Sequence, residues 1–302
     1  MYTKILVPLD GSRLSETVLP YARSLVRDLK VPVELLQVIE PEIVSTFADP
    51  AHARYVDVVE VDMKRNSLDY LDRLAGSFPG APSVICSAEI GNPPEVIVNR
   101  GAADPGILIA MSTRGRSGIQ RWVLGSVTNK VLHLSSNHLL IVRGDEKSKT
   151  DGEATLESLI VPLDGSPLAE KALRYSLELA RNLKLELVLL RVYGLPTSTY
   201  YVSDEYTPDL GQLTEQVREE ARKYLESKVE TLRGEGLEKC SSLLLQGDAA
   251  EEIIDTARKT QGNLVAMCTH GRSGLSRWVL GSVTERVVLH SGDPVLVIPA
   301  TE

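Results

Sequence analysis

Residues 115–128 read GRSGIQRWVLGSVT, and residues 271–284 read GRSGLSRWVLGSVT. Twelve of these fourteen positions are identical. A second stretch, VPLDGS, also occurs twice, at 7–12 and at 161–166. The two pairs are offset by 156 and 154 residues, so one unit of sequence is present twice in this chain, together with whatever chemistry it carries.

The domain organisation follows from this duplication. The chain has 302 residues, and about 150 residues is an ordinary length for a domain with its own core. We predict a first domain over 1–145 and a second domain over 156–302. Between them, the polar and charged segment 144–157 is predicted to be an exposed linker.

The composition is typical of a soluble globular protein, with 43% hydrophobic and 25% charged residues. The net charge of −8 argues against nucleic acid or an anionic membrane as the main partner. No apolar run is long enough to span a bilayer, and the N-terminal MYTKILVPLD lacks the pattern of a signal peptide. The three cysteines lack metal-site spacing and fit a reduced compartment, so we expect a cytoplasmic protein.

Short apolar runs alternate with helical periodicity in both repeats. Five strands and four helices per repeat imply a doubly wound parallel sheet, so we predict an α/β fold of two tandem Rossmann-like domains. The first repeat is predicted to contain strands at 4–10, 33–39, 83–89, 106–111 and 138–143, and helices at 13–30, 56–76, 93–101 and 126–135. The second is predicted to contain strands near 158–163, 186–192, 240–245, 263–268 and 294–298, and helices near 167–183, 211–233, 249–260 and 282–290.

Two local expectations accompany this assignment. Pro20 lies inside the first predicted helix and should kink it. The last strands, 138–143 and 294–299, are apolar to their ends and should lie at sheet edges, which invites pairing.

The repeated motifs suit an anion-binding crevice. Ligands of open doubly wound sheets bind beyond the carboxyl ends of the strands, where we expect residues 8–12 and 112–126. Gly115 and Gly118 allow positive φ, and Ser126 is expected to cap a helix whose free N–H groups attract phosphate. Positive charge is added by Arg114, Arg116 and Arg121. In the second repeat the equivalent residues are Gly271, Gly274, Gly281 and Ser282, with His270, Arg272 and Arg277.

Two common phosphate motifs are missing from the sequence. No G-x-x-x-x-G-K-[ST] stretch occurs, which excludes a P-loop NTPase, and no G-x-G-x-x-G follows a first strand, which excludes the usual dinucleotide fold. The chain instead resembles the universal stress proteins in their tandem two-domain form. Their motif is G-x-x-G, nine residues, then G-[ST], and it matches here from Gly115 to Ser126 and from Gly271 to Ser282.

The resemblance implies ATP as ligand, with Mg²⁺ expected beside it, and slow or no hydrolysis. The residues that it implies at adenine and ribose are Pro8, Asp10 and Val38 in the first repeat, and Pro162, Asp164 and Val192 in the second. Those that it implies at the phosphates are Ser112, Gly115, Gly125, Ser126 and Thr128, and Cys268, Gly271, Gly281, Ser282 and Thr284. It also implies that the two repeats pair through their last strands as an intramolecular pseudo-dimer, and two such chains could associate further.

The chain departs from the family motif at one position of each repeat. The first glycine is Ser112 in one repeat and Cys268 in the other. A side chain there would either crowd the ribose and α-phosphate or point into a neighbouring gap. An ATP-binding regulatory protein is therefore weighed against a weak ATPase, a scaffold that binds no nucleotide, and a chain with one working repeat. Turnover lost with Asp10→Ala and Asp164→Ala favours the enzyme, and absence of bound nucleotide favours the scaffold.

Several residues have a structural interpretation beside a functional one. For Asp10 and Asp164 we favour a ligand role over a turn cap. For Cys268 we favour burial over redox sensing. The long loop 193–210 is interpreted as a surface loop rather than a lid. Structural or interface roles are also favoured for Trp122 and Trp278, for His133 and His290, and for the turn residues Asp104 and Asp293.

Overall fold

The computed structural model describes residues 2–42, 56–113, 124–144, 148–194, 210–269 and 280–300. Within these ranges, no helix combines the length and the apolar character that crossing a lipid bilayer requires.

The first repeat contains five strands and four α-helices among its described residues. A short 3₁₀ turn at Ser15–Val18 precedes the first helix. The strands are β1 (Lys4–Leu9), β2 (Val33–Ile39), β3 (Val84–Ile90), β4 (Ile107–Ser112) and β5 (Leu139–Val142). The helices are α1 (Leu19–Leu29), α2 (Val56–Ala75), α3 (Pro93–Ala102) and α4 (Ser126–Leu134).

The second repeat has the same order of elements. Its strands are β6 (Ser158–Pro162), β7 (Glu186–Tyr193), β8 (Cys240–Gln246), β9 (Asn263–Cys268) and β10 (Val295–Ile298). Its helices are α5 (Pro167–Leu183), α6 (Leu210–Gly234), α7 (Ala249–Lys259) and α8 (Ser282–His290). The predicted α/β fold is thereby confirmed, with element ends that differ by about one residue, except that α1 begins six residues after its predicted start.

The first compact unit is a mostly parallel sheet in the order β3-β2-β1-β4-β5-β10. β1 lies between β2 and β4 and runs parallel to both, with Ile5 opposite Val33 on one side and Leu108 on the other. Because β1 and β4 are neighbours, the two predicted site segments, which follow these strands, leave the sheet at the same edge.

The last strand of the chain belongs to the first unit rather than the second. β10 pairs antiparallel with β5, with Leu296 opposite Leu140 and Val297 opposite Leu139. The compact unit accordingly comprises residues up to Thr155 together with Ser276–Leu280 and Pro294–Glu302. Every residue of both strands is buried, and the expected pairing of the last strands is observed.

The second compact unit contains Leu156–Leu275 and Gly281–Asp293. Its strands are parallel in the order β9-β6-β7-β8. β6 occupies the central position that β1 has in the first unit, and β9 lies beside it. The carboxyl ends of β6 and β9 therefore meet at one edge, as those of β1 and β4 do.

The expected kink at Pro20 is wrong. The chain enters α1 through the 3₁₀ turn, and Pro20 falls in the first turn of the α-helix. Since the first N–H groups of a helix have no partner within the helix, a proline there costs no hydrogen bond and bends nothing.

The linker has many exposed side chains, as expected, but its main chain is tied to α1. The buried Arg23 guanidinium donates to the Thr150 carbonyl at 2.7 Å and to the Gly152 carbonyl at 2.8 Å. The Ala154 N–H donates to the Pro20 carbonyl at 3.0 Å. The connecting segment is thus a bound strap within the first unit.

Candidate nucleotide site

A tight turn follows the first strand of each repeat, and an aspartate closes it. In the first repeat, Asp10 Oδ1 accepts hydrogen bonds from the Ser12 N–H at 2.9 Å and from the Ser12 hydroxyl at 2.6 Å. In the second, Asp164 Oδ1 accepts from the Ser166 N–H at 2.9 Å. These are the bonds of an Asx turn, so the structure shows the turn-capping role of both aspartates. Their ligand role stays a prediction.

The loop after the fourth strand is closed by the same hydrogen bond in both repeats. The Gly125 N–H donates to the Thr113 carbonyl at 2.7 Å, and the Gly281 N–H donates to the Thr269 carbonyl at 2.7 Å. The two ends of each loop therefore meet at the strand end. The segments 114–123 and 270–279 lie outside the described residues, and with them Gly115, Gly271 and the predicted arginines.

The start of the helix after this loop differs from our expectation. Gly125 is the N-cap of α4 and Ser126 is its first helical residue, so the assignment of Ser126 as N-cap is wrong. Gly281 and Ser282 have the same places in α8. Neither N-cap makes a side-chain capping bond, since glycine has no side-chain oxygen to accept one from a helix N–H. A glycine cap leaves the first N–H groups open to an external acceptor, which suits an anion site.

In the second repeat two other helices are capped by side chains. In α5 the Ser166 hydroxyl accepts from the Ala169 N–H at 3.2 Å, and in α7 the Asp248 carboxylate accepts from the Glu251 N–H at 3.1 Å. The first-repeat helices α1 and α3 make no side-chain capping bond, so what α4 and α8 share is the glycine at the N-cap.

A threonine in the first turn of each of these helices bonds back to the preceding strand. Thr128 Oγ1 donates to the Ser112 carbonyl at 2.8 Å, and Thr284 Oγ1 donates to the Cys268 carbonyl at 2.8 Å. Both threonines are buried. Because each hydroxyl proton is used within the protein, these residues fix the helix against the strand end.

Cys268, at the position of the family's first glycine, is buried and hydrogen-bonded to the start of α5. Its thiol donates to the Leu168 carbonyl at 2.7 Å, and its side chain is 5% exposed. Burial raises the pKa of the thiol to about 11. The thiol therefore stays protonated, which agrees with burial at a strand end and not with a redox sensor.

A cavity of about 310 Å³ opens in the second unit at this edge of the sheet. The cavity is lined by every predicted site residue of the second repeat that the structure describes. The turn after β6 and the start of α8 therefore lie at the same cavity. The lining residues are Pro162, Leu163, Asp164, Ala169, Leu190, Val192, Ala249, Ile253, Met267, Cys268, Gly281, Ser282, Val283 and Thr284.

The two sides of this cavity differ in chemistry. Leu190, Val192, Ile253 and Met267 form an apolar wall that suits a flat, weakly polar ring. The start of α8 at Gly281 supplies main-chain N–H groups and the positive end of a helix dipole. Among the described residues no cluster of histidine, cysteine and acidic side chains has the makings of a metal centre.

In the first unit the corresponding residues occupy equivalent strand ends. Pro8 pairs with Leu36 in the β1–β2 register, and Val38 pairs with Glu89 between β2 and β3. Ser112 ends β4 and is 5% exposed, like its counterpart Cys268. The framework that supports the predicted site is therefore present in both units.

A tyrosine–glutamate pair beside each strand-end turn was missed by the motif analysis. The Tyr70 hydroxyl donates to Glu16 Oε1 at 2.9 Å, and the Tyr224 hydroxyl donates to Glu170 Oε1 at 2.5 Å. Burial, reinforced by the carboxylate, raises the pKa of both tyrosines, so both stay hydrogen-bond donors. Applying the 154-residue offset to every position of the chain would have found the pair, since the partners are 54 residues apart in each repeat.

Some structural interpretations are supported by the remaining contacts. His133 Nδ1 lies 2.7 Å from the Asn129 carbonyl of its own helix. Asp104 accepts from the Thr3 hydroxyl at 2.6 Å and from the Gly106 N–H at 2.8 Å, as a turn residue does. Trp122, Trp278 and most of the loop 193–210 lie outside the described residues.

Comparison with known proteins agrees with this fold and motif. The family model described as "Universal stress protein family" matches residues 1–143 and 156–299. A universal stress protein of Mycolicibacterium smegmatis is 25% identical over 296 residues, covering 97% of this chain and 96% of that protein. One from Methanocaldococcus jannaschii is 30% identical over 148 residues, covering 49% of this chain and 85% of that protein.

A solved structure has the same fold over its full length. The crystal structure of a universal stress protein from Archaeoglobus fulgidus superposes with a TM-score of 0.70 at 21% identity, covering 100% of both chains. The family model matches each repeat separately and together spans nearly the whole sequence. The chain therefore belongs to the universal stress protein family.

Proposed function

We propose that this protein is an adenine-nucleotide-binding regulator of the stress response that binds ATP and hydrolyses it slowly or not at all. The observation that carries the proposal is the second-unit cavity, in which an apolar wall faces a helix start with a glycine cap. An apolar wall suits adenine, and a helix start suits phosphate, so one ligand class satisfies both sides.

The proposed contacts follow the two sides of the cavity. Asp164 also lines the cavity, and in this proposal its carboxylate accepts from ribose hydroxyls. The proposed ligand residues of the second repeat are Pro162, Asp164, Val192, Cys268, Gly271, Gly281, Ser282 and Thr284. Those of the first repeat are Pro8, Asp10, Val38, Ser112, Gly115, Gly125, Ser126 and Thr128. Mg²⁺ would accompany the phosphates of ATP in this proposal.

The hydroxyl bonds of the two threonines refine their role. Since the hydroxyls of Thr128 and Thr284 donate to strand carbonyls, each residue offers a phosphate only its main-chain N–H. Their main effect is to hold the glycine cap in place. A regulatory role then rests on occupancy, because a nucleotide held at the helix start would change the surface that a partner meets.

A nucleotide-free scaffold is the second candidate. It is favoured by Ser112 and Cys268, which place side chains where the family motif has a glycine. Against it, a cavity remains beside Cys268 even with its thiol in place, hydrogen-bonded to the Leu168 carbonyl.

The deciding experiment is calorimetric titration of nucleotide-stripped protein with ATP and Mg²⁺, read as stoichiometry. Two sites per chain are expected. One site would assign nucleotide binding to a single repeat, and Gly115→Ala/Gly125→Ala against Gly271→Ala/Gly281→Ala would show which repeat is active. No binding would overturn the proposal and leave the scaffold.

Turnover and assembly are tested on the same protein. If the protein releases inorganic phosphate from ATP, and the double variant Asp10→Ala/Asp164→Ala does not, the protein is a weak ATPase and not only a regulator. We also propose a cytoplasmic location and the intramolecular strand pairing that the sequence predicts, supported by the β5–β10 ladder. Sedimentation equilibrium gives the number of chains in the assembly.

A further inference from the structure

An arginine packs against the turn that borders the second-unit cavity. Arg191 stands between Leu190 and Val192 on β7, and both neighbours line the cavity. Because side chains alternate along a strand, Arg191 leaves the opposite face of the sheet. There its guanidinium reaches the turn after β6, and a Cβ placed on Gly165 would lie 3.2 Å from its Nη1. The absence of a side chain at Gly165 is what admits the guanidinium beside Asp164.

The guanidinium is held in a fixed orientation. Its Cζ lies 4.6 Å from the ring centre of Tyr224, and Lys228 Nζ lies 5.5 Å from the same centre. The Tyr224 hydroxyl is bound to Glu170 at 2.5 Å, and Lys228 donates to the other oxygen of that carboxylate at 2.7 Å. Stacking on an anchored ring restricts the arginine before any ligand arrives, so less entropy is lost when it binds an anion.

The first repeat lacks this arginine. At the same offset of 154 residues stands Gln37, a neutral side chain whose Oε1 is buried without a hydrogen-bond partner among the described residues. In the first repeat, two other arginines supply positive charge near the turn after β1. Arg73 lies 6.0 Å from the centre of the Tyr70 ring, and Arg13 is exposed on the turn itself. The second repeat has Ser227 and Pro167 at those two positions. The strand-borne cation is therefore specific to the second site.

We propose that Arg191 is a specificity-determining residue that makes the second-unit site accept adenine nucleotides with a phosphate on the 2′ or 3′ oxygen of the ribose. The inference rests on the proposed function, which places the ribose at Asp164 and the 5′-phosphates at the start of α8. A lone carboxylate at the ribose repels such a phosphate, whereas an adjacent arginine binds it with charge-assisted hydrogen bonds. The ligand class is an adenosine 5′-phosphate that is phosphorylated again on the ribose.

The test compares three nucleotides by calorimetry on the full chain: AMP, adenosine 2′,5′-bisphosphate and adenosine 3′,5′-bisphosphate. We expect one site per chain to bind at least one bisphosphate about tenfold more tightly than AMP, the gain of a charge-assisted hydrogen bond. Arg191→Gln should remove this gain, so that each bisphosphate binds no more tightly than AMP does. Arg222→Gln, on the exposed face of α6, is the matched control and should keep the gain.

The outcomes separate this inference from the proposed function. If AMP and ATP fail to bind, the proposed function falls. If AMP binds and both bisphosphates bind equally or more weakly in the wild-type chain, the specificity role of Arg191 is overturned while the nucleotide site stands. The same holds if Arg191→Gln keeps the tenfold gain. The ratio of bisphosphate affinity to AMP affinity in the wild-type chain can overturn the inference by itself, so the test does not depend on how well the variant folds.

Discussion

The Thr284 hydroxyl donates to the main-chain oxygen of Cys268 at 2.8 Å, and this bond joins the first turn of α8 to the end of β9. The Gly281 N–H closes the loop between them with a bond to Thr269 at 2.7 Å. Two hydrogen bonds therefore fix the helix start relative to the strand, although the position that bonds to Thr284 is a cysteine here and a serine in the first repeat. The framework depends on the main chain of that position and tolerates a change of its side chain.

Removing this bond should destabilise the second unit. Thr284→Val keeps the shape of the side chain but leaves the buried Cys268 carbonyl without the hydroxyl donor, and we expect a loss of about 1–2 kcal/mol in the free energy of unfolding. Urea denaturation followed by circular dichroism measures it. Thr284→Ser retains the hydroxyl but removes a buried methyl group, so we expect a smaller loss, of about 1 kcal/mol or less. Equal stability of all three proteins would show that the bond is dispensable.

The turn after β6 should be sensitive to a single methyl group. Gly165 has a φ of 84°, and a Cβ there would lie 3.2 Å from Arg191 Nη1. Gly165→Ala is therefore expected to cost about 1–2 kcal/mol of stability, since the left-handed region is strained for alanine. Gly234→Ala is the control: a Cβ at that last residue of α6 meets nothing within 4 Å. A thermal midpoint that falls equally in both variants would contradict the strain.

The half-buried His138 should make stability fall in mild acid. Burial lowers the pKa of His138 from 6.5 to about 4, and its Nδ1 lies 2.9 Å from the Tyr2 hydroxyl. The folded state thus binds the proton more weakly than the unfolded state does. Stability should be fully present above pH 6.5 and decrease as the pH falls toward 4, by up to about 3 kcal/mol.

The measurement is urea unfolding at a series of pH values between 4 and 8. His138→Gln removes the titrating ring, so its stability should depend less on pH than that of the wild type in this range. His133→Gln, a substitution on the surface of α4, serves as the matched variant and should retain the wild-type profile. A His138→Gln profile that runs parallel to the wild type would assign the acid sensitivity to other groups.

Most of the fold could be predicted from the sequence because its strands are short apolar runs and its helices are periodic. The β2 strand, VELLQVI, was predicted with its observed ends. The predictions were wrong where the same local sequence is compatible with two structures. Pro20 fits both a kinked helix and the first turn of a helix, and only the 3₁₀ turn before it decides. Ser126 is compatible with both the N-cap and the first helical position, and in the structure the N-cap is Gly125.

Contacts between distant residues were less accessible to sequence reasoning. The hydrogen bond between Tyr224 and Glu170 joins two helices that are far apart in sequence, so no local sequence pattern predicts it. The hydrogen bonds from Arg23 to the linker carbonyls could not be predicted either, because every residue has a main-chain oxygen and the sequence does not show which one is used. The predicted ligand roles of Asp10 and Asp164 remain open, since their turn bonds and a ribose contact are compatible.

Cys268 should react slowly in the native protein. Burial raises the pKa of its thiol to about 11, so its reactive thiolate is scarce at pH 7.5. Burial also raises the pKa of the Cys86 thiol to about 11. We expect iodoacetamide to modify both residues much faster in urea than in buffer, as read by peptide mass spectrometry. Rapid labelling of Cys268 in the folded protein would restore the redox-sensor hypothesis.

The strap between the repeats should be released by a single substitution. Arg23 is 7% exposed, and besides the Thr150 and Gly152 carbonyls its Nε donates to the Ser77 hydroxyl at 3.0 Å. Arg23→Ala leaves those two carbonyls without the guanidinium, so we expect a stability loss of about 2–4 kcal/mol and faster cleavage of residues 148–155 by a protease.

Neighbouring variants distinguish this strap from general destabilisation. Arg27 forms an exposed ion pair with Glu153 of the same strap, and Arg27→Gln should cost less than about 1 kcal/mol and leave the cleavage rate nearly unchanged. Arg23→Lys keeps the charge but not the planar fork, so its cleavage rate should be intermediate. Because cleavage within 148–155 reports local opening, a uniform rise at all sites in Arg23→Ala would indicate global unfolding instead. Equal cleavage of wild type and Arg23→Ala would show that the two carbonyl bonds do not hold the strap.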